Sequence, residues 1–177
     1  MPPSRWINPA PIVDFDAIDE LRPKLGTIVV ASGGFDPLHP GHASNLFEAS
    51  KLGDTLVAVV NGDAFLRAKK GKPFQGLATR CRLVSFLRGV DYVVPFEISG
   101  DQTVCAALRR IRPHVYAKGG DRARPEVVPE WTTCRELGIE IRFNVGAVKE
   151  WSSSDMLREW GEYWASTHGA HVAPKLK

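Results

Sequence analysis

The chain has 177 residues, 44% of them hydrophobic and 24% charged, an ordinary globular balance with enough length for a real core in one domain. Its 23 Lys and Arg against 20 Asp and Glu leave a net charge of +3, which makes no case for nucleic acid by itself and suits a small anionic substrate equally well. Three scattered cysteines (Cys81, Cys105, Cys134) without metal-ligand spacing, and no apolar run of membrane-spanning length, predict a cytoplasmic protein with reduced thiols and neither a membrane nor a nucleic-acid partner.

Residues 1–24 read as a Pro-rich N-terminal arm without an apolar signal core, and its acidic part, 14–21, suggests a short helix packed on the body. Alternating units follow. The continuous apolar run 27–31 predicts a buried strand, and 42–52 a helix with Leu46, Ala49 and Leu52 on one face and Gly53 as its stop. A second buried strand over 55–60 ends at Asn61, Gly62 and Asp63. A basic loop carrying Arg67, Lys69, Lys70 and Lys72 leads into a helix over 77–89. A strand at 91–96, a helix at 103–112 stopped by Pro113, and a strand at 115–117 come next. A helix at 129–137, a strand at 139–145 and an amphipathic helix at 153–164 complete the pattern, leaving 165–177 as a frayed tail. Strands alternating with helices predict an α/β fold: a doubly wound parallel sheet, covered on both faces, in a single domain over 25–164.

In such a sheet, ligands sit at the carboxyl ends of the strands. The informative clusters all fall there. After the first strand come Gly33, Gly34, Phe35, Asp36, Pro37, Leu38, His39, Pro40, Gly41 and His42, a Gly-rich turn into a helix with two imidazoles three residues apart. The glycines allow a tight turn and a close backbone approach, and the helix start aims N–H groups at one point, which suits a phosphate. The histidines add donors for charge developing on phosphoryl oxygens. A helix start disfavours a protonated histidine and a bound polyphosphate favours it, so their charge is expected to follow the ligand. Asn61, Asp63, Lys69, Lys70 and Lys72 follow the second strand, Lys118, Gly119, Gly120 and Asp121 the fourth, and Lys149 with Ser152, Ser153, Ser154 and Asp155 the fifth. The serine row reads first as a helix N-cap and equally as a phosphate cradle. His114, His168, His171 and most of the tryptophans read as bystanders, with Trp151 beside the serine row a candidate for the pocket wall.

The run from Gly33 or Gly34 through His42 resembles the Gly-x-Phe-Asp-x-x-His-x-Gly-His signature of the nucleotidylyltransferase superfamily, and the resemblance extends over 26–160. Within it, Lys51 to Asp54, Val60 to Ala64, Lys70-Gly71, Asp91 to Val94 and Lys118 to Asp121 look most like the adenylyltransferase domain of ADP-heptose synthase. The resemblance implies a Rossmann-like fold, often dimeric. It also implies Mg²⁺-assisted transfer of a nucleoside monophosphate from an NTP to a phosphorylated small molecule, with release of pyrophosphate. It further implies that His39 and His42 contact the triphosphate, Gly34 and Phe35 offer main-chain N–H groups, and the serine row holds the β- and γ-phosphates. Asp36 would order the turn or the metal shell, there being no side-chain metal cluster. Lys70 would join the histidines in catalysis, and Gly33, Gly41, Lys118, Gly119, Gly120 and Asp121 would bind nucleotide. Asn61, Asp63, Lys69, Lys72 and Arg80 would bind the acceptor. Lys70-Gly71 fits the heptose type, whereas Lys69 fits the glycerol-phosphate cytidylyltransferase pattern. The arginine those cytidylyltransferases carry five residues before the first serine is Ala147 here. ATP with a sugar 1-phosphate is therefore the preferred pair. CTP with a polyol or amino-alcohol phosphate stands as the alternative, and a non-catalytic nucleotide sensor as the alternative of another class.

Overall fold

The computed structural model describes residues 9–98, 103–119, 128–148 and 150–168. Strands β1 (Ile28–Gly33), β2 (Thr55–Asn61), β3 (Tyr92–Phe96), β4 (Val115–Ala117) and β5 (Glu140–Arg142) form one sheet in the order β3-β2-β1-β4-β5. Every pairing is parallel, with Ile28 opposite Thr55 and Val29 opposite Val115 fixing the central register. The helices are α1 (Ile18–Leu21), α2 (Pro40–Ala49), α3 (Asp63–Lys70), α4 (Leu77–Ser85), α5 (Cys105–Ile111), α6 (Trp131–Leu137) and α7 (Ser153–His168).

The strands are apolar at nearly every position because both faces are covered; β2 is buried at all seven of its residues. Val29 and Ala31 point to one side, where they meet Leu46 and Ala49 of α2 and Cys81 and Val84 of α4. Ile28 and Val30 point to the other, against Ile18 of α1, Leu108 and Ile111 of α5 and Cys134 of α6. This is the doubly wound, Rossmann-like, single-domain architecture that the alternation predicts. Its order reverses at β1, so the chain leaves β1 on one face and β4 on the other and opens a crevice at their carboxyl ends.

Three expectations change. The basic segment after β2 is the helix α3, with Gly71 at φ +87 as its end. Its apolar residues Ala64, Phe65, Leu66 and Ala68 stand beside Arg67, Lys69 and Lys70, whose charge reads as a solvated loop. Residues 10–13, read as part of the arm, join the body, with Ile12 bridging Val93 at the sheet edge, whereas the short packed helix expected within 14–21 is present as α1 with Ile18 fully buried. The expected tail begins late, because α7 runs to His168. His114 is structural, its Nδ1 accepting the Ile28 N–H at 2.9 Å and so fixing the start of β1.

Candidate active site

The β1–α2 turn sets the first wall. A Cβ on Gly33 would lie 3.1 Å from the Phe35 ring, and one on Gly34 would lie 2.8 Å from Leu66, so the two glycines let Phe35 and α3 close over the turn. Phe35 itself sits at φ +50 and is buried, a bulky residue in the left-handed region held there by its packing. His39 is the N-cap of α2, and its Nδ1 accepts the His42 N–H at 3.3 Å. The two imidazoles stack with centroids 3.7 Å apart and planes 20° apart, and the edge of Phe35 closes on His42 at 5.1 Å. Gly41 makes room, since a Cβ there would stand 3.1 Å from the His39 ring. Among the described residues, His42 Nδ1 is buried without a hydrogen-bond partner.

The electrostatics follow from that packing. Burial foremost, then the neighbouring charges of His39, Lys70 and Lys69, pull the His42 imidazole down to about 3. Burial likewise lowers His39, opposed by a backbone hydrogen bond. Both rings are neutral at neutral pH, and a polyanion between them and the lysines would raise them.

Asp36 works beneath the turn. Its Oδ1 accepts the Gln75 N–H at 2.8 Å, and its Oδ2 accepts the Phe74 N–H at 2.8 Å and lies 3.2 Å from Lys70 Nζ. Lys70 also donates to the Asp36 carbonyl. The carboxylate therefore ties the turn to the α3–α4 connection. Among the described residues no group of three His, Cys, Asp or Glu side chains forms a metal cage.

Arg80 lies in the floor. It is fully buried: Nε donates to the Gln75 carbonyl at 2.9 Å, Nη1 to the carbonyls of Gly34 at 2.7 Å and Asn61 at 2.6 Å, and Nη2 to Asp63 at 2.6 Å. Arg80 and Asp63, expected at the acceptor, are each other's partners under the site and do not line its cavity. Lys72 is exposed beyond Gly71 and is also outside it.

The far wall comes from the other strand ends. Lys118 follows β4, its Nζ 3.0 Å from Tyr116 Oη and 3.4 Å from Glu130. A Cβ on Gly119 would press on Asn45 at 2.8 Å. Ser152 caps α7 by accepting the Asp155 N–H at 3.3 Å. Ser153 Oγ donates to the Pro37 carbonyl at 3.0 Å, a contact between residues 116 apart in the chain. These walls enclose a cavity of about 520 Å³. It collects Gly33, Gly34, Phe35, Asp36, His39, Gly41, His42, Asn61, Lys69, Lys70, Lys118, Gly119 and Ser152, Ser153 and Ser154. Gly120, Asp121 and Lys149 lie outside the described residues. Asn61 Oδ1, like His42 Nδ1, has no partner among the described residues.

Sequence reasoning missed Asn45, Glu130 and Thr103, which also line the cavity. Asn45 was findable, being three residues after His42 and so on the same helical face; its Nδ2 donates to the Val145 carbonyl at 2.8 Å and joins α2 to the loop after β5. Glu130 has no local signal, because it arrives only through the packing of α6 beside α5. Trp151 lines the cavity as its position suggests.

A family profile described as Cytidylyltransferase-like matches residues 30–161. The chain is 41% identical over 132 residues to the Bifunctional protein HldE of Methylococcus capsulatus, covering 72% of this chain and 27% of that protein. It is 42% identical over 120 residues to the Bifunctional protein HldE of Streptomyces coelicolor, covering 67% and 25%. The chain thus spans about a quarter of the length of these curated relatives. Among solved structures it is similar to a lipopolysaccharide core biosynthesis protein from Thermoplasma volcanium, with a TM-score of 0.55, 31% identity, and coverage of 67% of this chain and 93% of that one. A pantoate-beta-alanine ligase from Francisella tularensis, at a TM-score of 0.61, 13% identity and coverage of 84% and 73%, shares the fold.

Proposed function

Because the chain belongs to the cytidylyltransferase-like family of nucleotidyltransferases, we propose that it transfers the nucleoside monophosphate of an NTP to a phosphorylated small molecule. An oxygen of the acceptor phosphate bonds to the α-phosphorus, the bond from that phosphorus to the bridging oxygen breaks, and pyrophosphate leaves with the electron pair. ATP is the preferred donor and a sugar 1-phosphate the preferred acceptor. The heptose-type motifs and the 31% identity to the lipopolysaccharide core biosynthesis protein of Thermoplasma volcanium support that choice.

One observation carries the reading: the stacked histidines of α2 and the serine row of α7 line a single cavity. Phosphoryl transfer of this kind asks the protein for in-line placement and charge stabilisation rather than covalent help. The N-terminus of α7 and its serines would hold the β- and γ-phosphates, while His39 and His42 steady the oxygens of the α-phosphate. Lys70, anchored on Asp36, and Lys69 add positive charge beside them. Asn61, with its unpartnered Oδ1, stands on the acceptor side. Mg²⁺ would arrive on the triphosphate and neutralise its charge. The proposal includes a homodimer, supported by the exposed face of Met156, Trp160, Tyr163 and Trp164 on α7, and a cytoplasmic setting, supported by the three free thiols.

The test is pyrophosphate release across a matrix of the four NTPs against sugar 1-phosphates, glycerol 3-phosphate and phosphoethanolamine. Release that requires both substrates is expected, with ATP and a sugar phosphate fastest; NTP binding without release in every combination would establish the sensor instead. His42→Ala is expected to lower kcat about 100- to 1000-fold while NTP affinity changes far less, because its contribution grows as charge develops. A melting temperature close to wild type guards that comparison against lost packing on His39.

A further inference from the structure

One side of the cavity carries an acid that phosphate binding does not use. Glu130, the residue before α6, lines the cavity and is only 6% exposed. Both of its hydrogen bonds are long: Oε1 accepts the Val104 N–H at 3.4 Å, and Oε2 accepts from Lys118 Nζ at 3.4 Å. An ionised carboxylate has about four acceptor positions, and its charge-assisted bonds ordinarily close to about 2.8 Å. Among the described residues this one is therefore buried and under-coordinated, a costly state unless something else donates to it. Its neighbour is held firmly, since Lys118 Nζ also meets Tyr116 Oη at 3.0 Å, and Tyr116 Oη shares a hydrogen with Ser32 Oγ at 2.8 Å.

A fixed cation and a fixed anion thus stand side by side on one wall. A phosphate placed across both would gain from Lys118 and be repelled by Glu130. A hydroxyl matches both, donating to the carboxylate and accepting from the ammonium. We infer that Glu130, with Lys118 beside it, receives a sugar hydroxyl and makes the site selective for a polyhydroxylated substrate. The inference rests on the nucleotidyl-transfer reading for the identity of the substrates, and the hydroxyl has two sources, the ribose of the NTP and the acceptor sugar.

Calorimetric binding to wild type and Glu130→Gln separates them. The probes are ATP with its 2′-deoxy and 3′-deoxy forms, and glucose and mannose 1-phosphates with their monodeoxy forms. Loss of one hydroxyl is expected to weaken wild-type binding about tenfold or more and to matter less than about twofold in Glu130→Gln. Coupling in the ATP series assigns the ribose, and coupling in the sugar series assigns the acceptor. Deoxy penalties that are absent, or equal in both proteins for every probe, overturn the inference. If Glu130→Gln melts too low to titrate, Glu130→Asp, whose shorter side chain withdraws the carboxylate from the wall, must shrink the same penalty. Failure of the nucleotidyl-transfer reading shows up separately, as no pyrophosphate from wild type, and leaves these binding measurements intact.

Discussion

The imidazole of His42 illustrates how a single residue is prepared for an anion. Packing between Phe35 and His39, with two lysines near, keeps it neutral. Its value in the folded protein, about 3, lies below the ordinary 6.5, so folding favours the unprotonated ring. That contribution is complete above pH 6.5 and is lost as pH falls from there toward 3. Unfolding free energy is expected to drop by on the order of a few kcal/mol across this window, and His42→Asn to flatten the drop in urea titrations. On the proposed function, a triphosphate in the cavity would reverse the balance. ATP binding at pH 6 should take up protons, measured as a dependence of binding enthalpy on the ionisation enthalpy of the buffer, and less so in His42→Asn. The residues of this turn were legible in the sequence because glycines and histidines declare their chemistry locally. Arg80 and Asp63 were not, since nothing in their spacing says that one guanidinium would be wrapped by three carbonyls.

At the level of elements, α5 ends on Arg112 at φ +48, ψ +60, the left-handed position that glycine fills most easily. The side chain returns a weak bond from Nε to the Arg109 carbonyl at 3.4 Å. Arg112→Gly should raise stability by about 1 kcal/mol, visible as a higher melting temperature with activity unchanged. Helix α3 teaches the converse lesson about legibility. It is stabilised by Leu66 under Gly34 and by Lys70 on Asp36, contacts from distant parts of the chain, so its own residues read as a charged loop. Strands β1 and β2 read clearly because burial on both faces demands unbroken apolar runs. Strand β5 is shorter than its apolar run suggests, because after Arg142 the chain turns through Asn144 at φ +55 and Gly146 at φ +101 to bring the serines back to the site.

Across the whole molecule, the site is a meeting of four strand ends, and Arg80 is what joins the two nearest α2. It binds the carbonyls after β1 and at the end of β2, along with the α3–α4 connection. Arg80→Met is expected to cost about 3–5 kcal/mol, read from the midpoint of denaturant unfolding, because it strands buried acceptors and leaves Asp63 unpaired. Arg80→Lys should recover little, since one ammonium cannot span that fork. The fold class and the rim on which ligands gather follow from the alternation of strands and helices; which side chains face the cavity depends on crossovers that no local pattern encodes. The bond from Ser153 to the Pro37 carbonyl adds a temporal dimension. During synthesis the histidine turn leaves the ribosome long before α7 does, so on the proposed function a nascent chain halted ahead of Ser153 would have its imidazoles but no grip on a triphosphate. Nucleotide capture by stalled chains of increasing length should switch on when the last helix clears the exit tunnel.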